Sequence, residues 1–249
     1  MTLSEIRNEC WDLAREVGSS EADRLWTVRE MNRYINRTCR TITRETKCLR
    51  DAVSTAVCLV PVTVIDYTTL VAGTLDYLRA NDPASWLYQQ NVAPIALPLD
   101  PRIIAIDEVK WVVRPWKLTK VSVAKWQVNP QWEQVSGIPT EYATDYSNNT
   151  IALNCRATES DTLQLTVRRL PLVNLVADGD IPEIRTQYHD FFINGVMALM
   201  YSKQDTEIVD GKKASEYQAA FLKDLDEIKQ QETLLGQKLN VNFSMGAFR

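Results

Sequence analysis

Asp178-Gly179-Asp180-Ile181-Pro182-Glu183 is the point at which the chain changes its period. Before it, Leu163-Gln164-Leu165-Thr166-Val167 alternates apolar and polar side chains, which predicts a strand. After it, Ile184, Tyr188, Phe191, Phe192, Gly195, Val196 and Leu199 recur at steps of three and four. That spacing predicts a helix from Pro182 to about Lys203. Asp178-Gly179 is a turn pair, and Asp180 is placed to accept from the first helical amides. Pro182 suits a first helical turn, where its missing N–H costs nothing, and Glu183 adds negative charge beside the positive end of the helix dipole. The segment therefore separates a β region from a helical C-terminal region.

The other end of the chain is helical as well. Thr2-Leu3-Ser4-Glu5 is a capping box, and Leu3, Ile6, Cys10, Leu13, Ala14 and Val17 form one apolar face, ended by Gly18. Thr27-Val28-Arg29-Glu30 is a second capping box. It opens a helix running to about Leu49, about 30 Å long at the usual rise, with Met31, Tyr34, Ile35, Thr38, Cys39 and Ile42 inward. On its opposite face Arg29, Arg33, Arg37, Arg40, Arg44 and Lys47 step by three and four, so six cations share one stripe. From Val28 to Arg50 the net charge is +5, with only Glu30 and Glu45 against seven cations. Like charges at this spacing destabilise an isolated helix by about 0.2–0.5 kcal/mol per pair, which points to an external partner. One candidate lies in the chain itself: Asp205 to Glu232 carries eight acids against four lysines. A neighbouring copy, passing nucleic acid and plain solvent are the three uses open to the stripe.

Between the helices the pattern is of short strands: Val57–Val64, with Pro61 marking an edge, Ile95–Leu97, Ile103–Val113, Leu118–Val128, Glu141–Tyr146, Thr150–Arg156 and Leu163–Leu170. Asn148-Asn149 is a hairpin turn. Frequent short strands predict an antiparallel sandwich or small barrel. Five of the seven tryptophans (Trp86, Trp111, Trp116, Trp126, Trp132) fall in this region, several beside Lys or Arg. They fit a small aromatic core, with a sugar- or nucleic-acid-binding face as the alternative.

The C-terminal helices are predicted over Pro182–Lys203 and Lys212–Leu234, the second burying Ala214, Tyr217, Phe221, Leu225 and Ile228. Leu13, Ile35, Tyr188, Phe192, Phe221 and Ile228 are expected in one core. Beyond Gly236, Leu239, Val241, Phe243 and Met245 alternate with polar residues, and Phe248 follows Gly246. That alternation predicts a strand-like arm awaiting a partner edge.

The chemistry excluded is as informative. The single histidine, His189, lies among aromatics, and the 8 glycines form no phosphate-cradling loop. No GxSxG or HExxH is present, so no catalytic, metal or cofactor site is expected. The net charge of −4 gives no reason for nucleic acid binding by the whole chain. Five cysteines without CxxC spacing read as buried thiols. Arg7, Glu9 and Asp12 interrupt the start and no apolar run reaches membrane-spanning length, so a soluble chain made in a cytoplasm is expected, with no membrane partner.

Gly137-Ile138-Pro139-Thr140-Glu141-Tyr142 with Asp145, then Leu163-Gln164-Leu165-Thr166-Val167 leading to Leu170-Pro171, then Ile181-Pro182 with His189, Gly195, Val196 and Tyr201, occur here in one order. With Leu3-Ser4-Glu5-Ile6 and Glu30-Met31-Asn32-Arg33-Tyr34-Ile35-Asn36, this pattern resembles the head-to-tail adaptor proteins of tailed bacteriophages along nearly the full length. The stretch Asp66 to Asn91 matches nothing in that pattern. The resemblance implies an α+β fold, an α-helical bundle from both termini with an inserted antiparallel β-sandwich or barrel. Its parts would be the N-terminal helices over 1–52, the β domain over 53–178, C-terminal helices over 179–235 and a docking arm over 236–249. It implies a structural virion protein of the neck, assembled in the host cytoplasm, and no enzyme. The partners implied are the portal protein, further copies in a dodecameric ring, a tail nozzle or tail-tube protein below, and double-stranded DNA in the channel. Leu239, Val241, Phe243, Met245 and Phe248 would dock the portal, and the stripe of Arg29, Arg33, Arg37, Arg40, Arg44 and Lys47 would line a subunit interface or the channel. A carbohydrate- or receptor-binding tail module using the tryptophan-rich domain is the alternative.

Overall fold

The computed structural model describes residues 1–14, 24–64, 94–203 and 210–236. The chain is an α+β protein, and its contacts divide it into two units. One unit joins residues 1–49 to residues 170–249, and the other is Arg50–Arg169.

Among the described residues the first unit is built on four helices: α1 (Leu3–Ala14), α2 (Val28–Thr46), α4 (Phe191–Tyr201) and α5 (Gly211–Gly236). α4 reads FFINGVMALMY, without one charged residue, and buries nearly all of its surface. A helix apolar all round must be surrounded, and α1, α2 and α5 all pack against it. Ile35, Tyr188, Phe192, Phe221 and Ile228 share one core as their spacing predicts. Leu13 does not, being 50% exposed. α1 turns instead so that Arg7 and Trp11 are buried. The Arg24 guanidinium lies 3.9 Å from the centre of the Trp11 ring, and that of Arg7 5.4 Å away. Cation–π contact and the apolar stem make these arginines tolerable neighbours of a core.

Both capping boxes form. Thr2 N–H donates to Glu5 Oε2 at 2.8 Å and Glu5 N–H to Thr2 Oγ1 at 3.3 Å. Thr27 and Glu30 do the same at the start of α2. α2 stops at Thr46, three residues short of expectation, because Lys47 turns left-handed at φ 52° and closes the helix onto the Thr43 carbonyl.

The segment Asp178–Glu183 does not start a helix. α4 begins only at Phe191, after a 3₁₀ turn over Thr186–Tyr188. The polar groups of the segment are committed elsewhere. The Asp180 carboxylate accepts from Val176 and Ala177 N–H, and Glu183 from Leu172 and Val173 N–H. The backbone carbonyls of Asp180 and Asp178 accept from Leu3 and Ser4 N–H at 2.8 and 3.1 Å. These are two of the four orphan donors of α1. The turn therefore caps a helix some 175 residues earlier.

In the second unit the central strand is β10 (Asp161–Arg169). β4 (Ile103–Trp111) runs antiparallel along one edge, from Leu163↔Trp111 to Arg169↔Ile103. β1 (Arg50–Asp51) and β2 (Leu59–Val62) share the other edge. β2 follows a single helical turn, α3 (Thr55–Cys58), and Pro61 sits in it as the edge position required. A second sheet orders β3 (Ala96–Pro98), β8 (Thr150–Leu153), β7 (Glu141–Ala143) and β5 (Thr119–Lys120), all antiparallel except β5 with β7. β6 (Ser136–Gly137) and β9 (Arg156–Ala157) form a short parallel pair. Neither sheet of the described residues closes into a barrel. Asn149, at φ 53°, makes the expected hairpin turn between β7 and β8. The strand expected over Leu118–Val128 is only two residues long. The Asp145 carboxylate accepts from Ser122 Oγ and Val123 N–H, and pulls the chain into a 3₁₀ turn at Val123–Lys125.

Candidate functional site

The apolar face of α2 fixes where its other face points. Met31, Tyr34, Ile35, Thr38, Cys39 and Ile42 are buried, so Arg29, Arg33, Arg37, Arg40 and Arg44 project to solvent on the far side of the helix. Lys47 is exposed too, but sits on the left-handed cap beyond the last turn. None of the five arginines forms an ion pair among the described residues. Arg33 lies over the Tyr34 ring at 5.8 Å, and Arg40 donates to Asn174 Oδ1 at 2.6 Å. Of the two acids on the helix, Glu30 pairs across the unit with Lys203 at 3.0 Å. Its carboxyl is held below the usual range, first by the Thr27 backbone N–H of the capping box and also by Lys203.

The acids expected to answer this stripe are divided. Asp205 and Glu207 lie outside the described residues. Glu232 is used within the unit, accepting from Tyr188 Oη at 2.9 Å and standing 3.4 Å from Arg185. Asp224 accepts from Asn194 Nδ2 at 2.7 Å, and burial pushes its carboxyl up. Glu216, Asp226 and Glu227 are exposed. Asp226 stands 3.4 Å from Lys229, Glu227 accepts from Gln231 Nε2 at 3.1 Å, and Asp210 lies 3.8 Å from Lys213, so these acids make only exposed local contacts along α5.

Periodicity did not single out the loop Pro171–Glu183, which runs beside the stripe. Asn36, on α2, clamps it: Asn36 Oδ1 accepts from Leu175 N–H at 2.8 Å and Asn36 Nδ2 donates to the Leu175 carbonyl at 2.9 Å. Arg7 reaches Asp178 at 2.9 Å. Leu175 is buried, while Val173, Val176 and Ile181 are 69%, 74% and 62% exposed. The signal was present as Leu172-Val173 and Leu175-Val176, an apolar richness that a solvated loop does not need.

The portal-docking residues Leu239, Val241, Phe243, Met245 and Phe248 lie outside the described residues, as do Trp86 and the stretch Asp66–Asn91. The other tryptophans of the second unit are mostly core. Trp111, Trp126 and Trp132 are buried, and the first two donate to the Pro139 carbonyl and to Glu141. Trp116 is 58% exposed. A cavity lined by Trp111, Ile138 and Pro139 measures about 70 Å³, well below the roughly 300–1,000 Å³ of small-molecule sites. His189 is buried, its Nε2 2.8 Å from the Ile184 carbonyl and its Nδ1 2.8 Å from the Met1 nitrogen. It holds two segments together. Cys10, Cys39, Cys48, Cys58 and Cys155 are free and buried. Burial pushes the Cys10 and Cys39 thiols up to about 12 and Cys58 to about 11. No helix among the described residues is long and apolar enough to cross a membrane.

The profile of one protein family, described as SU10 adaptor protein, matches residues 1–241. No curated protein matches the chain. The match spans nearly the whole length, so the chain belongs to the SU10 adaptor protein family. The resemblance to phage head-to-tail adaptors holds at the level of the family, which is one of structural phage adaptors of the virion neck and not typically of enzymes.

Proposed function

We propose that this adaptor forms a ring, a dodecamer, beneath the portal vertex, joining the DNA-filled capsid to the tail nozzle or tail tube and continuing the DNA channel. In this reading the helices of both chain ends make a bundle, the β region is an inserted sandwich, and residues 236–249 dock the portal. Assembly takes place in the host cytoplasm. The observation that carries the ring is the α2 stripe: five arginines aligned on one exposed face, without an ion pair among the described residues. Cations so aligned call for acids from elsewhere, and exposed acids on α5 of a neighbouring copy supply them. Each exposed pair contributes about 1 kcal/mol or less. A ring repeats the contact at every interface, and the portal supplies effective concentration, so weak contacts suffice on the template and fail in free solution.

Mixing the purified chain with purified portal protein and imaging the product by electron microscopy tests this. Wild type should add a ring to the portal. Arg37→Glu/Arg40→Glu should not, with a melting temperature close to that of wild type. Rings of normal size from the double variant would exclude the interface, leaving the stripe to DNA phosphates or solvent.

A further inference from the structure

We propose that the loop Pro171–Glu183 is the apolar half of the contact between copies, and that its occupant is the C-terminal end of α5 on a neighbouring copy. The proposal rests on the ring reading and names the surfaces that make it.

The loop is rigid where loops are usually loose. Side chains hold the amides of Leu172, Val173, Leu175, Val176 and Ala177, drawn from Glu183, Asn36 and Asp180. Its own carbonyls cap α1. A segment held this firmly loses little conformational entropy on binding. Yet it presents Val173, Val176 and Ile181 outward, and a fold that needed only to close a chain would have no use for three aliphatic side chains in water.

Charge identifies the occupant. Arg29 borders the open groove at Val176, and Arg40 borders the one at Val173 and Ile181. The complementary surface must therefore be acidic and apolar together. DNA answers the cations but offers nothing to the aliphatic groups. The end of α5 answers both: Asp226 and Glu227 are exposed, and about two turns later so are Leu234 and Leu235. Asp226 stands 3.4 Å from Lys229, an exposed local pair that competes weakly with a neighbour's arginine.

The geometry suits a ring. α2 and α5 bury their inner faces in the same core, so their exposed faces are two different surfaces of the unit. A contact between two different faces is head-to-tail, and a head-to-tail contact makes a ring when the rotation between copies closes and a filament when it does not.

Two experiments on the full chain with portal protein decide it. In the first, Val176→Asp/Ile181→Asp should keep the wild-type melting temperature, both positions being exposed, and lose ring formation at least tenfold in the concentration required. In the second, rings are formed from equal parts of Val176→Cys and Leu234→Cys chains and oxidised. Disulfide-linked dimers should exceed those from a Val128→Cys and Leu234→Cys mixture, against a low background from five buried thiols. Wild-type rings alongside equally good Val176→Asp/Ile181→Asp rings, or cross-linking no better than the control, would overturn the contact alone. A wild-type chain that forms no ring on the portal would overturn the ring reading and this contact together.

Discussion

The guanidinium of Arg169 meets the carboxylate of Asp51 at 2.5 Å, with both side chains 7% exposed. The period of two that buries Leu163, Leu165 and Val167 on one face of β10 buries Arg169 as well. A cation on that face requires an acid, and Asp51 on the neighbouring β1 supplies it. Burial pushes the Asp51 carboxyl up. Hydrogen bonds from the Ser54 side chain, the Val53 and Ser54 amides and Arg169 outweigh this and hold it well below the usual range.

Arg169→Met should cost about 3–5 kcal/mol, because it leaves a buried carboxylate without its partner. Asp51→Val/Arg169→Met, which removes both charges, should recover most of that loss. The native carboxyl titrates below its unfolded value of about 3.9. The stabilisation is therefore whole above about pH 4 and drains away as pH falls toward the folded-state value. Urea unfolding at a series of pH values should show wild type losing stability more steeply below pH ~4 than the double variant.

Gly195 is where α2, α4 and α5 meet. A Cβ there would stand 2.6 Å from Thr38 Cγ2 and 2.9 Å from Phe221 Cε2. Gly195→Ala should lower the melting temperature: overpacking costs about 1–3 kcal/mol, against the ~1 kcal/mol that Ala gains over Gly in a helix. Gly195→Ala/Phe221→Leu should regain part of the loss if the Phe221 ring is the obstacle.

Asn36→Ala should free the clamped loop. The Leu175 N–H and carbonyl both lose their side-chain partner, a cost of about 1–3 kcal/mol. Hydrogen exchange should quicken at Leu175, and the amides of α2 around Met31 and Ile35 should keep their protection. Unchanged exchange at Leu175 would show that the loop is held without Asn36.

Deleting residues 237–249 should leave a folded chain that no longer binds portal protein. In the proposed docking arm, a strand's period of two would set Leu239, Val241, Phe243 and Met245 on one side, and burying a Phe is worth roughly 1.5–3 kcal/mol. Phe243→Asp should bind almost as poorly as the deletion, whereas Asn242→Asp on the other side should bind normally. A truncated chain that docks like wild type would assign portal binding to the helices.

The alternation of β10, the apolar faces of α2 and α5 and both capping boxes were legible in sequence. Each depends on residues within a few positions of one another, where backbone geometry alone converts spacing into a shared face. The arginine stripe follows from the same rule, and its exposure from the burial of the opposite face. Asp178–Glu183 had every local mark of a helix start, yet it caps α1 and ties down its own loop. An orphan amide accepts any carbonyl brought near it, and a carboxylate accepts any amide, so such pairings carry no spacing that a sequence can display. The same holds for Leu13, exposed although its register matches the core, and for Arg7 and Trp11, buried in its place. Which side of α1 faces inward depends on what α2 and α4 present to it, and only the packed structure decides that.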